Sequence, residues 1–295
     1  MSASRAYRLE PGEPLPEGIA RVAVGRIDHA IDELRGKTKS TPVEAVHEAR
    51  KDMKKLRALV RMARGELGES TFGRENACYR DAARELAGVR DADVMLETLG
   101  ALDLPPGVGW ELRKAIQAQR PTDDAGRDAP ARDAVAILEE ARKRVADWPL
   151  ERDSFAAVAD GLERTYRRGR REFREVSSEP TVEALHEWRK RVKDLWYHHT
   201  VMRPLWPAVM NAVGDEAHKL ANKLGDDHDL AVLAAWAREH ADAGPELFEE
   251  VDRRRAALGH DALALGARLY AEKPSSYLGR LKRLWNADEA IVRAP

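Results

Sequence analysis

The feature that most constrains this chain is a repeat. Residues 43–64, VEAVHEARKDMKKLRALVRMAR, and 182–203, VEALHEWRKRVKDLWYHHTVMR, align without a gap at an offset of 139 (182 − 43), and ten of the 22 positions are identical. A second pair follows, LAGVRDADVML at 86–96 and LGDDHDLAVLA at 224–234, in which Asp91 and Asp229 correspond at nearly the same offset (229 − 91 = 138). A period this long marks two duplicated halves of one domain rather than a solenoid of short units.

Each copy of the first segment carries two stripes at helical spacing. At about 100° per residue, Val46, Ala49, Met53, Leu56 and Val60 fall on one side. His47, Arg50, Lys54, Arg57, Arg61 and Arg64 line up beside them. The apolar stripe needs a core. Successive cations stand about one turn, roughly 5 Å, apart, so repulsion is built in until an anion relieves it. From 47 to 64 there are seven Lys/Arg against two acids, in a chain whose net charge is −1. The basicity is therefore concentrated here, although a solvated face is the ordinary fate of one such stripe.

The second copy keeps part of the stripe. His186, Arg189, Lys190, Lys193 and Arg203 stand where His47, Arg50, Lys51, Lys54 and Arg64 stand, while Trp196 and Thr200 replace Arg57 and Arg61. GLERTYRRGRREFR, 161–174, has six arginines against two glutamates. Its Arg167, Arg170, Arg171 and Arg174 are expected on one side, restoring the charge that the second half has lost.

These residues resemble the CHAD family, the conserved histidine α-helical domain, over roughly residues 15–290. The V-E-A-[VL]-H-E-x-R-K helices, the L-x-x-x-x-D segments after them and the closing RLYAEKPSSYLGRLKRLW at 268–285 carry the resemblance. It implies an all-α protein of two duplicated bundle-like halves, expected to be related by a pseudo-twofold around a basic groove, that binds inorganic polyphosphate. It places His47 and His186 at the family's namesake histidines. The E-x-E-x-K signature of the triphosphate tunnel domain that often accompanies CHAD is absent, so the chain reads as a stand-alone member.

With 295 residues, 43% hydrophobic and 34% charged, the composition suits a large helical domain with salt bridges over its surface. An irregular lead-in is expected at 1–16. The domain proper is expected at 17–295, with a first half at about 17–120, a linker at 121–130 (PTDDAGRDAP) and a second half at about 131–290. Helices are expected near 17–35, 42–64, 70–87, 91–101, 108–120, 130–146, 153–176, 181–203, 208–223, 227–241, 245–266 and 275–286. Thr41, Pro42 and Glu44 read as a helix start. MSASRAYRLE lacks the apolar core of a secretory signal and no apolar run is long enough for a membrane span, so a cytoplasmic protein is expected, without membrane partners. The one cysteine, Cys78, reads as a small buried hydrophobe.

A linear polyanion asks for a row of cations and rewards arginine, whose planar fork bridges two phosphate oxygens. The expected polyphosphate-binding set is His47, Arg50, Lys51, Lys54, Arg57, Arg61, Arg167, Arg170, Arg171, Arg174, His186, Arg189, Lys190 and Lys193. Association with polyphosphate granules, or with a polyphosphate-processing enzyme, is the expected setting. Nucleic acid is the competing polyanion, but the first repeat has no aromatic for bases to stack on. Phosphoryl transfer through His47 or His186 is the enzymatic alternative. No Walker loop, G-x-S-x-G or H-E-x-x-H supports it, and no catalysis is expected. Asp226, Asp227, His228, Asp229 and His218 have metal-ligand types, but the first repeat does not reproduce them. No metal or cofactor is therefore expected, and Asp91 and Asp229 are expected to cap helices or orient cations.

Overall fold

The structure, a computed structural model, describes residues 5–86, 91–119, 125–240 and 243–292, without the side chains of 91, 125–128 and 288–292. The described residues form eleven α-helices and no strand. They are α1 Leu15–Leu34, α2 Pro42–Met62, α3 Arg64–Glu85, α4 Asp91–Gly100, α5 Trp110–Ala118 and α6 Ala125–Arg144, then α7 Ala156–Ser178, α8 Val182–Val201, α9 Pro207–His240, α10 Pro245–Leu269 and α11 Pro274–Val292. Among the described residues no helix is long and apolar enough to cross a membrane.

Local chemistry sets the starts of both repeated helices. Thr41 and Glu44 form a reciprocal capping box ahead of Pro42, with the Thr41 N–H donating to Glu44 Oε2 at 2.8 Å. In the second copy proline and threonine exchange places, so Thr181 caps α8 through the Ala184 N–H at 3.1 Å. Along α2 the predicted apolar stripe is inside: Ala49, Met53, Leu56 and Val60 have no exposed surface. Each larger side chain of this kind contributes roughly 1.5–3 kcal/mol by leaving water.

Two rings of four helices share this core. In the first, α2 packs between α1 and α3, and α6 closes the ring against both. In the second, α8 packs between α7 and α9, and α10 closes it against α7 and α9. The rings meet where α2 packs on α7 and α8 and where α3 packs on α7. Gly161 permits the closest approach, since a Cβ there would lie 2.1 Å from the Met62 carbonyl oxygen and 2.4 Å from that of Arg61. His198 adds a polar tie, its Nε2–H donating at 2.9 Å to the Ala58 carbonyl of α2.

Packing crosses the expected half boundary in both directions. Helices α4 and α5 pack on α9, where Met95, Leu99, Leu112 and Ile116 join Leu230, Leu233, Leu247 and Val251 in a second, smaller core. Helix α6 returns to the first ring. Of the expected linker, 121–124 lie outside the described residues, whereas 125–130 are already helical.

Of the expected lead-in, 1–4 lie outside the described residues and 15–16 already belong to α1, while 5–14 are irregular but tied down. Tyr7 donates to the Lys55 carbonyl of α2 at 2.9 Å and meets Tyr197 of α8 edge-on, while the Leu9 N–H donates to the Val201 carbonyl at 3.0 Å. One helix was misplaced by the sequence reading: 208–223 and 227–241 are a single α9. Gly225 lies inside this helix, where the Arg189 side chain packs against it. A Cβ there would come within 2.7 Å of Arg189 Nη2.

Candidate functional site

The basic residues of the two repeats gather in two clusters along α2 and α8. The first joins four helices. Arg57 Nε and Arg61 Nη2, on α2, both donate to Asn76 Oδ1 of α3, at 3.3 and 3.2 Å. Arg61 Nη1 donates to Asp194 Oδ1 of α8 at 2.8 Å, and Arg191 Nη1 lies 2.9 Å from the other oxygen of that carboxylate. Arg80 of α3 lies within electrostatic reach of Arg57, and Arg168 of α7 within reach of Arg191. Burial, followed by repulsion from Arg61, pulls the Arg57 guanidinium down to about 10. Arg57 is only partly buried, so this reads as crowding of like charge and not as neutralisation.

The second cluster lies between α2, α8 and α9. Lys193 is brought down to about 8 by burial first and then by Arg189, with Lys51 adding to the repulsion and Asp229 opposing it. Lys51 is held by Glu48 at 2.8 Å and Lys190 by Glu187, both within single helical turns. His218 stacks on Trp196 with ring centroids 3.8 Å apart, and Lys193 helps to lower its pKa after burial. Above this cluster His186 packs on His228, centroids 4.4 Å apart, and burial, then His228, brings it down to about 4. The Nδ1 atoms of both rings are buried without a hydrogen-bond partner.

The remaining expected site residues are spread more widely. His47 and Arg50 are half-buried, with Arg50 Nη1 donating to the Leu86 carbonyl at the end of α3 at 3.3 Å, and Lys54 is exposed. The arginines of α7 share the outer side of the helix by spacing, but their side chains go to separate partners. Arg170 Nε turns to the Tyr270 carbonyl at 3.0 Å, whereas Arg167 and Arg171 pair with Glu163 and Glu172 at 2.8 and 2.6 Å. Arg174 is exposed. Arg168, not one of these four, is the α7 arginine that acts on Arg191 of α8.

Asp229 caps nothing, since it lies within α9, and it acts on Lys193 instead. Asp91 opens α4, but its side chain is outside the described residues. Asp227 is buried and held by Arg255 at 2.9 Å. Among the described residues no group of three His, Cys, Asp or Glu converges as metal ligands.

Sequence reasoning missed Asn76, Arg80, Arg168, Arg191 and Asp194. Two of them left a trace in the repeat. Asp52 corresponds to Arg191 (52 + 139) and Lys55 to Asp194 (55 + 139), so an ion pair one helical turn long occurs at the same place in both copies with its signs reversed. Lys55 to Asp52 is 3.1 Å and Arg191 to Asp194 is 2.9 Å. Asn76 and Arg80 lie between the two aligned segments, so the repeat did not single them out.

The fold and this site define an all-α protein in which two basic helices of similar sequence pack on each other. Residues 23–238 match the family model of the CHAD domain, most of the chain, and the protein belongs to that family. Its fold is similar to that of the CHAD domain from the plant Ricinus communis, known from a crystal structure. The TM-score is 0.67 at 19% identity, over 93% of this chain and 97% of that one. No match was found among curated proteins.

Proposed function

We propose that this protein binds inorganic polyphosphate, holding the linear polyanion along α2 and α8 without altering it chemically. The observation that carries the reading is the crowding of cations from both repeats. Arg61 and Arg191 share one carboxylate with Arg57 crowded beside Arg61, and Lys193 stands beside Arg189 and Lys51. Cations held together in this way lower the cost of binding an anion whose charges are themselves linked, and counterion release drives the association. In this reading the two halves are related by a pseudo-twofold, their basic helices line a shared groove, and His47 and His186 contact or support it. The protein acts in the cytoplasm, at polyphosphate granules or beside a polyphosphate-processing enzyme.

Two observations favour a base-free ligand held without catalysis. Trp188 has no exposed surface and Trp196 is covered on one face by His218, so neither offers a free platform for bases. His186 is packed ring to ring on His228 with its Nδ1 buried, which suits a supporting role better than that of a phosphoryl acceptor.

The test is a titration with long-chain polyphosphate and with tripolyphosphate at increasing potassium chloride, with magnesium present and orthophosphate monitored. Affinity for the long chain should fall steeply with salt, and no orthophosphate should appear. Replacing Arg50, Lys54 and Arg57 with alanine should weaken the long chain far more than tripolyphosphate. Salt-insensitive binding, or equal losses for both ligands, would replace the shared groove with one compact site.

A further inference from the structure

Asn76 is the only acceptor common to Arg57 and Arg61 among the contacts described, and it is neutral. Its Oδ1 receives Arg57 Nε at 3.3 Å and Arg61 Nη2 at 3.2 Å, from two positions one turn apart on α2. Two guanidinium donors on one atom identify that atom as the amide oxygen. On its far side Arg61 is fixed by Asp194, which also holds Arg191. The result is a chain of contacts, Arg57 to Asn76 to Arg61 to Asp194 to Arg191, that crosses from α2 through α3 to α8. Three arginines are oriented, and one carboxylate offsets one of their charges.

A carboxylate is the usual partner for paired arginines and would hold these two more strongly. It would also cancel a second charge. An amide fixes the direction of a guanidinium fork while leaving its charge for another ligand, which matters where the donors otherwise have several rotamers to lose on binding. We infer that Asn76 is a positioning residue for polyanion binding, in which a neutral acceptor holds Arg57 and Arg61 in place without neutralising them. This rests on the polyphosphate reading and adds a residue that determines the strength of that site. Burial and repulsion already depress Arg57, so its environment is one in which additional negative charge would readily be taken up.

The experiment compares wild type with Asn76→Ala and Asn76→Asp, measuring long-chain polyphosphate affinity across a salt series and thermal unfolding of each protein without ligand. Asn76→Ala keeps every charge, so affinity should fall about three- to tenfold with the salt slope unchanged. Asn76→Asp keeps an acceptor oxygen but cancels a charge. It should unfold at the same temperature as wild type or higher, yet bind about tenfold more weakly with a salt slope reduced by about one. Stability and affinity then move in opposite senses, which a merely structural role does not produce. An aspartate variant that binds like wild type, or that loses stability and affinity together, overturns the inference. So does an alanine variant that binds within about twofold of wild type. If wild type itself binds no polyphosphate at low salt, the parent reading fails, a result distinguishable from these.

Discussion

Arg61 of α2 and Asp194 of α8 meet at 2.8 Å, although 133 residues separate them in the chain. The Asp194 carboxylate is almost fully buried, so this contact joins the two rings as well as the two basic stripes. Arg61 therefore has a structural role besides the ligand contact proposed for its stripe, whereas Lys54 is exposed on that stripe. Arg61→Ala should cost about 1–3 kcal/mol in urea unfolding, with Arg191 left as the remaining partner of the carboxylate. Lys54→Ala should stay within about 0.5 kcal/mol of wild type. Both should weaken polyphosphate, so only the lysine variant reports on the ligand alone.

Lys193 gives the site a pH dependence. Its pKa in the free protein is about 8, lowered by burial and then by Arg189, and a bound anion should raise it again. Binding then takes up a proton, and affinity should fall as pH rises through about 8. Calorimetry in buffers of differing ionisation enthalpy should detect the uptake near pH 8–9. Lys193→Arg should abolish it. An unchanged proton balance in that variant would assign the effect elsewhere.

Acid should unfold the protein partly through His199. Burial holds this imidazole neutral down to about pH 3, with its Nε2 3.2 Å from the Tyr277 hydroxyl. Its folded pKa lies below the unfolded value near 6.5, so between the two the unfolded chain binds more protons and stability falls as pH drops. His199→Phe should flatten the stability profile from about pH 6.5 towards 3 by up to about one proton, as measured by chemical unfolding at each pH. It should also lose roughly 1 kcal/mol at pH 7, where Tyr277 is left without its partner.

The approach of α7 to α2 should not tolerate a side chain. In Gly161→Ala the new Cβ would meet backbone oxygens at 2.1 and 2.4 Å, and backbone cannot rotate away as a side chain can. We expect a loss of about 1–3 kcal/mol. Polyphosphate binding should fall as well, because Arg61 belongs to the turn displaced. Gly259→Ala, in a helix with nothing within 4 Å of the added methyl, is the control and should not destabilise the protein.

Much of this fold was legible because periodicity and capping act locally. The apolar stripe of α2, the Thr41 box and most helix bounds follow from neighbours in the chain. What the sequence concealed depends on partners far away. Asn76 reads as an ordinary polar residue until two arginines of another helix reach it. Arg170 turns to the Tyr270 carbonyl just after α10, a partner 100 residues away that its own helix does not announce.

The return of α6 to α1 and α3 has a consequence for how the protein is made. A chain emerging from the ribosome shows α1, α2 and α3 early, but the ring they belong to has no fourth wall until residue 144 is available. Helices α4 and α5 emerge in between and must wait longer, since α9 and α10, which cover their apolar faces, are synthesised after residue 206. During translation the nascent protein therefore exposes two unfinished surfaces at once, and neither half is a natural unit of excision. A cut at 120/121 would separate α4 and α5 from the helices that bury them and α6 from the ring it completes. Functional halves should be sought instead by circular permutation that keeps both crossings intact.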